Sequence, residues 1–144
     1  MIPQISQAPG VVQLVLNFLQ VLEQQGFTGD TATSYADRLT MATDNSVYQL
    51  LPDAVLFPRS TADVALLARV AAEPRFKSLI FTPRGGGTGT NGQALNGGII
   101  VDMSRYMNRI IEINPEEGWV RVEAGVIKDQ LNQFLKPYGY FFAP

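Results

Sequence analysis

The stretch Leu79-Ile80-Phe81-Thr82-Pro83-Arg84-Gly85-Gly86-Gly87-Thr88-Gly89-Thr90-Asn91-Gly92-Gln93-Ala94-Leu95-Asn96-Gly97-Gly98-Ile99-Ile100-Val101-Asp102-Met103 decides how this chain is read. The apolar runs Leu79–Thr82 and Gly98–Met103 read as strands, with a glycine-rich loop between them. Five of the chain's 13 glycines lie between positions 85 and 92. Glycine tolerates positive φ and lets another group come close to the backbone. Successive amides can then point into one concavity and bind an anion. Thr88 and Thr90 add hydroxyl donors and Asn91 an amide donor. Arg84 reads either as a cation for a phosphate or as a solvated loop residue. Each bond to a charged phosphate contributes about 1.5–3 kcal/mol, so a few would anchor a pyrophosphate. The competing reading is a long turn that only reverses the chain. The polar residues at the rim favour the anion.

Gly87-x-Gly89-x-x-Gly92 also matches the dinucleotide fingerprint letter for letter, with Glu112 about 20 residues further on. That match is read as accidental. A true fingerprint opens a helix after its last glycine, and Gln93–Gly98 instead runs into a strand. The Gly-Lys-Ser/Thr ending of a P-loop is missing as well, which disfavours triphosphate hydrolysis.

Working outward, Ala54–Phe57 is a compact apolar run between Pro52 and Pro58 and predicts a buried strand. Ser60-Thr61-Ala62-Asp63 predicts a helix start, with Ser60 accepting an amide and Asp63 reaching back or favouring the positive helix end. Val64, Leu67, Ala68 and Ala71 are its expected inner face, and Pro74 its stop. Towards the N-terminus, Val11, Leu14, Val15, Phe18, Leu19 and Leu22 predict an amphipathic helix over about 10–25. A second short helix is expected within 30–42, capped by Asp30 or Thr31, then a turn at Asn45-Ser46. Downstream, Arg109–Ile113 and Trp119–Glu123 read as paired strands, the second alternating Val120 and Val122 with Arg121 and Glu123. A helix over about 126–136 ends at Pro137 and Gly139, and Tyr140–Pro144 begins a further apolar segment, a partial strand. The expected class is α+β, with mixed α/β character.

The chain has 144 residues, 46% of them hydrophobic and 17% charged, enough for a real core. Its net charge of −2 gives no electrostatic help to nucleic-acid binding. With no cysteine and no histidine, disulfides, thiolate metal sites, thiol nucleophiles, Ser-His-Asp catalysis and a histidine base are excluded within these residues. Chemistry here needs a cofactor or another segment to supply the reactive group. Met1–Gly10 has no basic residue of the kind a signal peptide needs. Val11–Leu22 is too short and too polar to span a bilayer. A cytoplasmic location is therefore expected.

The order Pro52-Asp53-Ala54-Val55, Pro58, Ser60–Val64, Pro83–Gly92, Val101–Ser104, Met107–Ile110 and Val122–Val126, with Leu131, Leu135, Gly139 and Pro144, resembles the first part of an FAD-binding domain of the vanillyl-alcohol oxidase / para-cresol methylhydroxylase type. Within that group the chain is similar to the flavin branch of D-2-hydroxy acid dehydrogenases, which acts on glycolate, D-lactate or D-2-hydroxyglutarate. Its first forty residues resemble a long bacterial member joined to an iron–sulfur domain, which implies the D-2-hydroxyglutarate class. The resemblance implies residues 1–50 as an N-terminal helical segment and 51–144 as a truncated FAD-binding domain. It implies FAD held non-covalently by Arg84, Gly85, Gly86, Gly87, Thr88, Gly89, Thr90, Asn91, Gly92 and Pro144, with Gly92 letting the chain pass close to the flavin.

The resemblance also implies a small 2-hydroxy acid substrate and an unidentified electron acceptor. Any iron–sulfur cluster belongs to absent parts, and no residue here is expected to be catalytic. The fragment alone is expected to be inactive. The alternative is a non-enzymatic anion- or nucleotide-binding or interaction module. Trp119 is expected to pack on its strand, and Asp102 and Glu123 to bond turns or solvent rather than form a catalytic pair. Tyr138, Tyr140, Phe141 and Phe142 are expected to be partly exposed and able to drive self-association.

Overall fold

A computed structural model describes residues 10–143. Its centre is a four-stranded sheet in the order β1 (Asp30–Ala32), β2 (Ala54–Phe57), β4 (Ile99–Asp102) and β3 (Phe81–Arg84). Strand β2 (Ala54–Phe57) runs parallel to β4 (Ile99–Asp102), with Ala54 opposite Ile99. Strand β3 (Phe81–Arg84) runs parallel to β4 on its other side, from Phe81 opposite Ile99 to Arg84 opposite Asp102. Every residue of β2 and β4 is buried, as strands covered on both faces require, and all of them but Asp102 are apolar.

Alternation divides these side chains between two clusters. Ala54, Leu56, Ile99 and Val101 meet α1 (Gln13–Gln24) and α3 (Thr61–Ala71). Val55, Phe57 and Ile100 point the other way, towards Ala32, Met41 and Tyr106. From α1, Val15, Phe18 and Leu22 enter the first cluster, and the Phe18 ring meets Phe76 edge-on at 5.2 Å. The apolar periodicity of the N-terminal helix is thus a core face.

Helix α3 begins as its sequence predicts, with Ser60 Oγ accepting from the Asp63 amide at 3.2 Å. The Asp63 carboxylate reaches further than a local cap. It accepts from the Thr28 amide at 2.8 Å, the Thr28 hydroxyl at 2.9 Å and the Arg59 amide at 2.9 Å, fastening the loop after α1 to the start of α3. Burial would raise its pKa. The bonds from Thr28, Arg59 and Ser60 outweigh burial and hold it below the ordinary aspartate value. The inner face of α3 differs from expectation: Leu66, Leu67 and Val70 are buried and Ala68 is exposed, because the helix presents its larger side chains to the sheet.

Residues 30–42 also differ from expectation. Asp30–Ala32 forms β1, an antiparallel edge strand on β2, and the helix is only α2 (Tyr35–Thr40). Its cap is Ser34, which accepts from the Asp37 amide at 3.2 Å. Asp30 cannot serve as the cap because its carboxylate is taken by the Tyr106 hydroxyl and the Arg59 guanidinium, which lower its pKa. The open edge of β2 imposes a strand that local propensity does not announce.

The predicted strand pair is a separate two-stranded sheet, β5 (Ile110–Asn114) with β6 (Trp119–Val122), and α4 (Lys128–Leu135) follows. Trp119 is 37% exposed, and its indole N–H donates to Glu117 at 2.7 Å, so it packs less than expected. Glu123 pairs with Arg109 at 2.7 Å, while Asp102 bonds the Ser104 and Arg105 amides. Both carboxylates bond groups close to them in the chain or the sheet. Tyr140–Ala143 forms no strand, and Phe141 is 69% exposed. No helix among the described residues is long and apolar enough to cross a membrane.

Candidate functional site

The loop 85–98 leaves the carboxyl end of β3 at Arg84 and returns to the amino end of β4 at Ile99. It crosses without a helix, which removes the fingerprint reading on geometric grounds. Its return is fixed by buried Asn96, whose side-chain oxygen accepts from the Gly98 amide and whose side-chain nitrogen donates to Ile99 O at 3.3 Å. A Cβ on Gly98 would come within 2.5 Å of Ile80 O, so only glycine lets β4 lie this close to the preceding chain. The loop begins beside the carboxyl ends of three parallel strands, where ligands bind open α/β sheets.

The loop glycines fall into two groups. Around Gly85 there is open space within 4 Å, and a Cβ on Gly86 would meet only Thr88 Cγ2 at 3.6 Å. Neither residue has a positive φ. Gly87 and Gly92 do, at 65° and 75°, a region other residues enter at a cost. The space over the later glycines is taken by the protein itself: Arg84 stands over Gly87, Gln93 over Gly89 and Tyr48 over Gly92. Among the described residues, the amides from Gly85 through Thr90 donate no hydrogen bond within the chain. Thr88, Thr90 and Asn91 are exposed at the rim.

Gly86 and Thr88 form one side of an open cleft of about 510 Å³, with Val126, Ile127, Lys128 and Asp129 on the other. That opposite side is the start of α4, whose N-cap Ile127 provides no side-chain acceptor. The first-turn amides of a helix carry partial positive charge. The cleft therefore joins unbonded amides from the loop to the positive end of a helix, an arrangement suited to an anion.

The Arg84 side chain is engaged within the fold. Its guanidinium donates to Thr43 O at 2.8 Å and to Met41 O at 3.4 Å. Gly92 faces Tyr48 rather than open space. Pro144 lies outside the described residues. The residues that sequence reasoning missed are those at 41–48, where the only signal was the turn at Asn45-Ser46. Carbonyl acceptors leave no mark in a sequence. Among the described residues no group of three or more His, Cys, Asp or Glu could hold a metal.

The family model described as the FAD binding domain matches residues 52–144. The chain belongs to the FAD-binding domain family. The D-2-hydroxyglutarate dehydrogenase of Escherichia coli strain K12 is 90% identical over all 144 residues, which span 14% of that relative. The same-named protein of Pantoea ananatis is 78% identical, again over the whole chain and 14% of the relative. Among solved structures, an alkyldihydroxyacetonephosphate synthase superposes with a TM-score of 0.75 at 19% identity, covering 95% of this chain and 28% of that one. This last likeness shows the fold alone. The FAD-binding domain family thus accounts for the α+β architecture from β2 onwards, and the chain spans about one seventh of the length of these relatives.

Proposed function

We propose that residues 85–92 hold the pyrophosphate of FAD, as the cofactor-binding part of a flavin-dependent D-2-hydroxy acid dehydrogenase whose substrate is D-2-hydroxyglutarate. The single observation that carries this reading is the run of unbonded amides from Gly85 through Thr90, with open space where a side chain would stand at Gly85 and Gly86, within a chain of the FAD-binding domain family. The 90% identity to the Escherichia coli enzyme supports the substrate.

Gly85, Gly86, Gly87, Thr88 and Gly89 would supply backbone donors, with Thr88, Thr90 and Asn91 adding side-chain contacts. Gly92 and Pro144 complete the proposed set, and Arg84 contributes positive charge nearby. The first turn of α4 would face the same anion across the cleft. With no histidine in the chain, attachment to these residues is non-covalent. When bound, FAD supplies the oxidation of the hydroxyl-bearing carbon of the substrate. The chain's own residues bind and orient the cofactor, residues 51–144 forming the first part of its domain, with α1 packed on its sheet and β1 added to the edge of β2. Segments outside this chain would bind the hydroxy acid, pass the electrons to an acceptor and hold any iron–sulfur cluster. The chain alone would not turn over substrate, and the exposed Tyr138, Phe141 and Phe142 would promote its self-association.

The test is flavin content and turnover. The full-length polypeptide should carry stoichiometric FAD, released intact on denaturation and reduced by D-2-hydroxyglutarate. A full-length protein that neither retains nor takes up FAD would overturn the reading.

A further inference from the structure

The segment before the family-matched region makes an excursion that ends on the glycine loop. Leu50 donates its amide to Ala42 O at 2.9 Å, and Thr43 bridges Gln49 in antiparallel fashion. The tip is closed by Asp44, whose carboxylate accepts from the Ser46 amide at 2.8 Å, and by the Ser46 hydroxyl, which accepts from the Tyr48 amide at 3.1 Å. The excursion touches the loop at several points. The Arg84 guanidinium bonds Met41 O and Thr43 O. The Asn45 amide donates to Gly87 O at 3.0 Å. The Tyr48 ring stands over Gly92, so that a Cβ there would lie 3.1 Å from its Cδ2.

We propose that residues 41–48 clamp the FAD loop in its binding shape, and that Arg84 acts there as a positioning residue through two backbone carbonyls. The proposal rests on the loop holding FAD, and the clamping residues 41–48 lie outside the match at 52–144. A loop this rich in glycine loses much conformational freedom on becoming ordered. If ordering had to accompany binding, it would subtract from affinity, and a loop already held avoids that loss. These contacts are spaced along the chain, at Arg84 where β3 passes into the loop, at Gly87 and at Gly92. They engage carbonyl oxygens and side chains, so the amides from Gly85 through Thr90 remain available for an anion. The planar fork of arginine can reach two carbonyls from one position, whereas the single ammonium of lysine carries the same charge but lacks that fork.

The experiment uses full-length protein stripped of flavin, as wild type and as Arg84→Lys, Arg84→Met and Tyr48→Ala. It measures hydrogen exchange at the Asn45 and Leu50 amides, the FAD dissociation constant and the thermal midpoint. Both Arg84 variants should speed exchange at Asn45 and weaken FAD by about tenfold or more, with lysine no better than methionine. Tyr48→Ala removes a largely exposed ring and should fold normally, with a smaller loss of about threefold. An Arg84→Lys protein that binds FAD like wild type would show that only the charge matters, which overturns the clamp. Wild-type exchange at Asn45 in both Arg84 variants would overturn it too. If an Arg84 variant fails to fold, Tyr48→Ala decides, and unchanged FAD affinity in that protein counts against the clamp. If the wild-type protein takes up no FAD, the functional reading fails separately, and the exchange rates in flavin-free protein still decide whether the loop is clamped.

Discussion

Gly85 and Gly86 are chemically the same as Gly87, Gly89, Gly92 and Gly98, yet the two groups differ in what stands over them. The first two face open space, while the others face Arg84, Gln93, Tyr48 and the backbone of Ile80. One glycine-rich stretch thus contains two designs. Its first residues leave room for a ligand, and the rest make room for the protein itself. A glycine count cannot separate the two, but a methyl group added at each position can.

The largest effect is expected at Gly98. There a valine would drive its Cβ into Ile80 O, a backbone atom with little freedom to retreat. Gly98→Val should destabilise by about 3 kcal/mol or more, read from denaturant unfolding. Stability within about 0.5 kcal/mol of wild type would mean that the close approach is not real.

Next in size is Asp63, a residue devoted wholly to the fold. Asp63→Ala leaves the Thr28 and Arg59 donors without their acceptor and should cost about 2–3 kcal/mol. Because the folded-state pKa of Asp63 is depressed, its contribution is fully present above the ordinary aspartate value of about 4 and is lost as the pH falls through the lower folded value. Wild type should therefore lose stability on acidification below pH about 4 more steeply than the alanine variant. Parallel stability curves for the two proteins would contradict the assignment.

The core of the fold was legible for a physical reason. Ala54–Phe57 and residues 99–101 are continuous apolar runs because both of their faces are covered, and Ser60 announces α3 because capping is local chemistry. Strand β1 was not legible. Its three residues, Asp30–Ala32, carry no apolar alternation and are extended only because β2 offers an edge. At the site, the loop could be found from its glycines, since positive φ and open space both select for that residue. The role of Arg84 could not, because its partners are the carbonyls of Met41 and Thr43, which any residue would supply.

A smaller effect is expected at Gly87. Alanine there meets both the positive φ and the Arg84 guanidinium, a flexible neighbour that can shift. Gly87→Ala should cost about 1–2 kcal/mol and weaken FAD as well, because the same change disturbs Arg84. Full affinity with reduced stability would place Gly87 with the purely structural glycines.

The smallest effect on the fold, and the most informative, is expected at Gly86. A methyl group there meets only Thr88 Cγ2, at ordinary contact distance, with no positive φ to strain it. The decisive measurement is the FAD dissociation constant of full-length Gly86→Ala protein beside its unfolding midpoint. The account predicts binding weakened by about tenfold or more with stability within about 0.5 kcal/mol of wild type. Unchanged FAD affinity in a normally folded Gly86→Ala protein would contradict it, because the open face of the loop would then not be where the cofactor lies.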